Sequence, residues 1–281
     1  MRVAAAVPLG PTLEEIEIKV LLEAVSLRYG YDFREYSLAP LRRSIASGMA
    51  GEGVGTISAY QERLLHDQTS LQRFLCTVGV SVSSLFREPE TWRCLREEVV
   101  PRLRTYPSVR VWSAGCATGE EAYSLAILFE EEGLLSRTQI FATDMNEESL
   151  AAGRRGSYPV QQLREAEAGY QSSGGRSTLA DFYAVTGRTA RLRPSLQRRL
   201  TWAHHNLVTD ASFNEFQLIL CSNVLIYFRP TLQQRAHRLF FDSLARSGFL
   251  ALGLRESLVF CPESSHYELV APGTKVFRKH R

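Results

Sequence analysis

From Leu13 to about Arg104 the apolar positions recur every three or four residues, the spacing of helices that turn one face inward. In EEIEIKVLLEAVSLRYG they fall at Ile16, Val20, Leu21 and Ala24, and the helix is expected to stop at Gly30, a residue suited to the left-handed backbone of a helix end. The Gly-rich break MAGEGVGT follows, and ISAYQERLLHDQTSLQRFLCTV then returns to helical spacing. Helices without strands predict a helical N-terminal domain over residues 1–85.

The pattern changes at Val109. VRVWSA is a short β-rich run, followed by a Gly-containing loop and the amphipathic stretch EEAYSLAILFEEEG. TQIFATD reads as a second strand with NEESLAAGRRG as its helix, Asn146 and Glu147 being suited to a first turn. FQLILCSNVLIYF holds a run apolar enough to be buried on both faces, as parallel strands are. TLQQRAHRLFFDSLARSG is expected to be a helix ending at Gly248, FLALGL a further strand, and YELV with KVFRKH a final pair. Strands alternating with helices predict an α/β, doubly wound Rossmann-like domain over 86–281. The alternation lapses between Gly156 and Leu200, where QSSGGRST looks like a loop and an Arg-rich alternating stretch follows; a small inserted β-subdomain is expected at about 178–204.

Composition narrows the class. A hydrophobic fraction of 44% with 22% charged residues is that of an ordinary globular protein, and a net charge of +3 is too small for a surface devoted to nucleic acid or membrane. The five cysteines are scattered, with no C-x-x-C pair, so neither a disulfide frame nor a metal site is expected. No run is long and apolar enough to span a membrane, and the N-terminal MRVAAAVPLG is interrupted by Pro8, Gly10 and Pro11; a cytoplasmic location is the expectation.

The chemistry concentrates in VWSAGCATGEEAYS. In an open α/β sheet the ligand lies beyond the C-terminal ends of the strands, where the first strand turns into its helix. GCATG supplies such a turn but is not the G-x-G-x-x-G of dinucleotide enzymes, and Glu120 and Glu121 stand where a phosphate would otherwise sit. Those carboxylates repel an anion and favour a ligand that is neutral or cationic there. Asp144, closing TQIFATD, can accept the hydroxyls of a ribose; it can also simply cap the next helix. S-adenosylmethionine, a cationic nucleoside without phosphates, fits both features. CSNVLIYF opens on the same crevice, with Asn223 and Tyr227 able to face it and an aromatic ring favourable beside a sulfonium; a buried strand followed by a packed tyrosine is the alternative.

TVGVSVSSLFREPETW, VWSAGCATGEEAYS, FATDMN, RRGSY and CSNVLIYF, in this order, resemble the CheR chemotaxis receptor methyltransferases over nearly the whole chain. The resemblance implies a helical receptor-recognition domain, an S-adenosylmethionine-binding methyltransferase domain and a β-subdomain inserted in the latter. It implies methylation of glutamate side chains on the cytoplasmic helices of a methyl-accepting chemoreceptor, with S-adenosylhomocysteine as the product. Carried over by position, it puts Ser81, Ser83, Arg87, Gly115, Glu121, Asp144, Asn206, Leu207, Ser222 and Asn223 on the cofactor, with Arg87 and Tyr227 at the reaction centre and Glu120 left as the charge at the helix end. Arg42 and Arg43 are candidates for docking the acidic receptor helix, or else belong to a solvated basic face; a receptor C-terminal peptide can add to the β-subdomain in some members. The chain departs from the family in having Ser81 and Ser83 for Asn and Thr, Ser222 for Arg, and GLRE at Gly253–Glu256 for G-H-S-E. A non-catalytic adaptor that binds the cofactor, and a nucleic-acid methyltransferase favoured by Trp202, His204 and His205 beside the Arg-rich insertion, are the competing readings; the SNVLIY segment lacks the Asp/Asn-Pro-Pro-aromatic pattern of amino-directed DNA enzymes.

Overall fold

The computed structural model describes residues 10–78 and 83–280, and the chain divides into two compact units, 1–78 and 79–281. In the first unit four helices, α1 (Leu13–Tyr29), α2 (Leu38–Glu52), α3 (Ile57–His66) and α4 (Gln68–Val78), bury Leu21, Val25, Phe33, Tyr60, Leu64 and Phe74. α1 opens with a reciprocal cap between Thr12 and Glu15 and closes at Gly30 with φ +80°. Its inward face is Ile18, Leu21, Leu22 and Val25, whereas Ile16 and Val20 are exposed. The helix is apolar on more than one side, so spacing alone does not select the buried face.

In the second unit α5 (Pro89–Cys94) runs through a π-helical turn, Leu95–Val99, into α6 (Val100–Leu103) and leads to β1 (Val109–Ala114). Then come α7 (Glu120–Glu131), β2 (Thr138–Asp144), α8 (Glu147–Arg155), β3 (Ser157–Pro159), α9 (Val160–Ser172), β4 (Tyr183–Thr186), β5 (Thr189–Leu192), α10 (Pro194–Gln197), β6 (Leu200–His204), β7 (Phe216–Cys221), α11 (Pro230–Ser243), β8 (Leu244–Leu252), β9 (Tyr267–Leu269) and β10 (Val276–Lys279). The main sheet has the order β6-β2-β1-β7-β8-β10-β9, parallel through β8 and closed by the antiparallel pair. Every residue of β7 is buried, including Gln217, whose Oε1 accepts the Arg110 amide at 2.7 Å.

One face of the sheet packs Val111, Ile140, Ala142, Leu218 and Leu220 with α7 residues such as Leu125 and Leu128. Elsewhere in the fold Trp112 packs against Phe213, Phe216, Phe240 and His205, and its indole N–H donates to Thr143 Oγ1 at 2.8 Å. Each fully buried aromatic of this kind contributes roughly 1.5–3 kcal/mol.

Two boundaries differ from the sequence reading. The chain leaves the helix at Ser243, not Gly248, because Leu244 onward pairs with Phe216–Cys221 and extends the sheet. The small antiparallel sheet, β3-β5-β4, takes its first strand from Ser157–Pro159 and lies within 157–192; Leu200–His204, which the expected 178–204 insertion included, is the parallel edge strand beside β2. Between β3 and β4 the chain forms the 13-residue helix α9. Among the described residues no helix is long and apolar enough to cross a membrane.

Candidate active site at the ends of the parallel strands

The turn after β1 is built by backbone conformation. Gly115 has φ +68°, and a Cβ on it would stand 2.6 Å from Val224 Cγ2. Gly119, φ +92°, caps α7, and a Cβ there would stand 2.3 Å from the Trp202 ring. Between them the Cys116 amide donates to Thr143 O, and the Ala117 amide donates to Asp144 Oδ2, both at 2.9 Å. Ala117 itself has φ +47°. Cys116 is buried and its thiol is pushed up by desolvation, so it carries no thiolate chemistry.

The two adjacent carboxylates have separate fates. Glu120, expected as the helix-end charge, stands in the first turn of α7 and is only 2% exposed. Its oxygens accept from Thr118 Oγ1 at 2.7 Å and Gln162 Nε2 at 2.8 Å, so it clamps the turn to α9. Tyr158 of β3 adds a hydrogen bond to Thr118 O at 2.6 Å. Glu121 faces different neighbours: burial raises its pKa to about 8, with the charges of Glu256 and Glu88 adding to the rise, while a Ser222 hydrogen bond and the Arg87 charge oppose it. Residues from three loops thus converge on Glu121.

Asp144 ends β2. Oδ1 accepts the Asn146 amide at 2.9 Å and Oδ2 the Ala117 amide, and the Met145 backbone adds a further hydrogen bond to the carboxylate. The helix that follows is capped instead by Asn146, whose Oδ1 accepts from Glu148 and Ser149. Desolvation raises the Asp144 pKa and the backbone donors oppose it. The Asp144 carbonyl accepts the His205 amide at 3.1 Å, which brings Asn206 and Leu207 beside the same strand end. Both are buried, and Asn206 Oδ1 is taken up by the Val208 amide at 2.9 Å.

The loop after β7 carries Ser222 and Asn223, the latter at φ +60°, and then a 3₁₀ turn, Leu225–Tyr227, that leaves Tyr227 partly exposed. Glu256, 4% exposed, accepts the Val224 and Leu225 amides at 2.9 and 2.7 Å and the Gly253 amide at 2.8 Å. Arg87 is exposed and sits between Phe86 (φ +51°) and Glu88 (φ +57°), a left-handed pair unusual for such bulky residues. The Arg87 carbonyl accepts the Trp92 indole N–H at 2.6 Å, and Glu88 Oε2 accepts the Leu254 amide at 3.0 Å. Phe86, Glu88, Ala117 and Asn223, four of the five non-glycine residues with positive φ among those described, lie in these loops.

The structure therefore brings Arg87, Glu121, Ser222 and Asp144 to one end of the sheet, with Gly115, Asn206, Leu207, Asn223 and Tyr227 on the loops beside them. Ser83 is partly exposed, its carbonyl 3.5 Å from Gln162 Nε2, while Ser81 lies outside the described residues. In the helical unit Arg42 pairs with Glu14 and Glu15 of α1, and Arg43 is exposed. Sequence reasoning gave no role in this site to Gln162, Tyr158, Trp202, Glu88 or Glu256, although Tyr158 and Glu256 stand in RRGSY and GLRE; the Glu256 amide closes a turn onto Gly253 O at 2.9 Å.

The donor set suits S-adenosylmethionine. Burial and the charges of Glu256 and Glu88 raise the proton affinity of Glu121, a state that a cationic ligand relieves, and Asp144 stands at the end of β2 as an acceptor for hydroxyls.

Residues 81–272 match the family described as CheR methyltransferase, SAM binding domain, and residues 16–78 match its all-alpha domain. The protein named Cher3 of Pseudomonas putida is 46% identical over 265 residues, covering 94% of this chain and 97% of that one. A chemotaxis protein methyltransferase of Listeria innocua is 32% identical, covering 82% of this chain and 86% of its own length. That of Salmonella typhimurium is 27% identical, covering 87% and 85%. With its all-alpha unit and an acid-lined crevice at the end of β1, the chain belongs to the CheR methyltransferase family.

Proposed function

We propose that the protein transfers the methyl group of S-adenosylmethionine to glutamate side-chain carboxylates on the cytoplasmic helices of a methyl-accepting chemoreceptor, acting in the cytoplasm. The observation that carries the reading is the convergence of Glu121, Glu256 and Glu88 beside the turn after β1, a setting hostile to a phosphate and suited to a cation. The chemotaxis methyltransferase names of the Listeria and Salmonella relatives supply the substrate class.

When bound, the cofactor supplies an electrophilic methyl on a sulfonium. Asp144 holds the ribose hydroxyls. Glu121, with Ser222 beside it, balances the positive charge, and Ser83, Arg87, Gly115, Asn206, Leu207 and Asn223 complete the lining. The receptor glutamate, with a free pKa of about 4.3, is already ionised at neutral pH and needs no general base. Acceleration comes from orientation and the exclusion of water. Arg87, exposed on a constrained turn, pairs with the incoming carboxylate, and Tyr227 sets its ring near the reacting methyl. Arg43 is better placed than Arg42 to meet an acidic receptor helix, since Arg42 is engaged by Glu14 and Glu15. A receptor peptide strand adds to the edge strand β4, where Val185 is 53% exposed.

The test incubates the protein with methyl-labelled cofactor and receptor-containing membranes, then applies mild alkali. Volatile methanol from a labelled receptor is the expected result. Alkali-stable label would indicate N-methylation, and absence of label would favour a non-catalytic binding role.

A further inference from the structure

Glu256 has no place among the cofactor or substrate contacts, yet it is one of the most fully engaged carboxylates of the site. Oε1 accepts two consecutive amides, Val224 at 2.9 Å and Leu225 at 2.7 Å, and Oε2 accepts Gly253 at 2.8 Å. These donors belong to different loops, one following β7 and one following β8. Val224 comes directly after Asn223, which is held at φ +60°, and its carbonyl accepts the Tyr227 amide at 3.1 Å. The turn that presents Tyr227 thus begins at the residues Glu256 grips.

The grip is tight on the other side as well. A Cβ on Gly253 would come within 3.1 Å of Glu256 Oε2 and 3.2 Å of the Asn223 amide nitrogen. One residue on, Leu254 donates its amide to Glu88, the neighbour of Arg87. The segment Gly253–Glu256 therefore ties the Arg87 loop and the Tyr227 loop to the end of β8. An apolar residue at 256 would leave three amides to find other partners, and each one left buried without one is destabilising.

We infer that Glu256 is a positioning residue for methyl transfer, holding the Val224 and Leu225 amides so that Asn223 and Tyr227 face the reacting groups. The inference rests on the proposed function, because Tyr227 acquires its part only there. Glu256 acts from behind the loop, while Asp144 and Glu121 approach the cofactor from β2 and α7.

The test uses the full-length protein and the variant Glu256→Gln, whose amide offers one acceptor oxygen where the carboxylate has two. In the cofactor-free protein, hydrogen exchange at the Val224 and Leu225 amides should rise at least tenfold. The kcat for receptor methylation should fall at least tenfold, with S-adenosylhomocysteine affinity changed less than threefold. In a Tyr227→Ala background the same substitution should cost less than a further threefold, because both changes act through one side chain. Should Glu256→Gln fail to fold, Gly253→Ala displaces the same carboxylate and should move exchange and kcat in the same direction. Unchanged amide exchange, unchanged kcat or full additivity with Tyr227→Ala overturns the inference alone. A wild-type protein that transfers no methyl group overturns the functional reading, and this inference with it.

Discussion

Asp144 Oδ2 accepts the Ala117 amide at 2.9 Å, so the carboxylate at the end of β2 fixes the turn that follows β1. The same side chain takes the Asn146 amide on its other oxygen. Replacing it by alanine removes both ties and the proposed ribose acceptors together. Asp144→Ala is expected to weaken S-adenosylhomocysteine binding more than tenfold in calorimetry and to lower stability by about 1–3 kcal/mol. An affinity equal to wild type would refute the ribose assignment.

Glu121 and Glu256 make the cofactor-free protein sensitive to alkali. Burial raises them to about 8 and about 7 from an ordinary value of 4.5. A folded-state pKa above the unfolded one gives stability that is complete below about pH 4.5 and is lost as the pH rises through 7 and 8. A cation bound beside Glu121 lowers its value, so a proton should leave on binding near pH 7 and affinity should climb between about pH 6 and 8. Calorimetry of S-adenosylmethionine binding in buffers of different ionisation enthalpy reads the released protons directly; a buffer-independent heat would count against the charge assignment.

His237 gives the opposite slope. It is fully buried on α11, and desolvation lowers its pKa from 6.5 to about 4, only partly offset by the Ser257 backbone and the Glu263 charge. A lowered folded-state value for a base means that stability present above pH 6.5 is lost as the pH falls toward 4, because the unfolded chain takes the proton first. Melting temperatures recorded from pH 7.5 to 4.5 should drop more steeply for wild type than for His237→Leu. Parallel curves would show that other groups govern acid sensitivity.

Arg87 is exposed, so its removal should leave the fold intact. Arg87→Ala is expected to reduce kcat for receptor methylation at least tenfold with a melting temperature within about a degree of wild type, since surface changes stay within roughly 0.5 kcal/mol. Arg87→Lys keeps the charge but not the planar fork and should recover only part of the rate. A variant with full turnover would remove Arg87 from the reaction centre.

Gly119 probes the turn. A methyl group there meets the Trp202 ring at 2.3 Å, and φ +92° is strained for any other residue. Gly119→Ala should both lower the melting temperature and weaken cofactor binding, whereas the double variant Gly119→Ala/Trp202→Ala should recover some affinity by making room. No recovery would place the loss in the backbone strain.

The parts of the site that could be read from sequence are those set by position along a strand. Asp144 closes β2 and Asn223 follows β7, a mostly apolar run, whereas Glu121 and Ser222 were singled out only through the family resemblance. What escaped depends on partners remote in sequence. Glu120 looked like a helix-end charge because its partner Gln162 lies 42 residues away. The first strand of the small sheet has only three residues, too few to show an alternation. The end of α11 was misplaced because LARSG continues a helical spacing, and only the pairing of β8 with β7 decides otherwise. Gly115 was legible as part of a turn, but that its bareness admits Val224 was not.

Tyr158 opens the small sheet, and its hydroxyl reaches Thr118 O, while Gln162, a few residues on, reaches Glu120. The inserted module is thus a buttress for the turn after β1 and not a detachable appendage. Excising 157–192 to obtain a smaller core would unseat the turn that core was meant to keep, and any load placed on the small sheet has a short mechanical route to the end of β1.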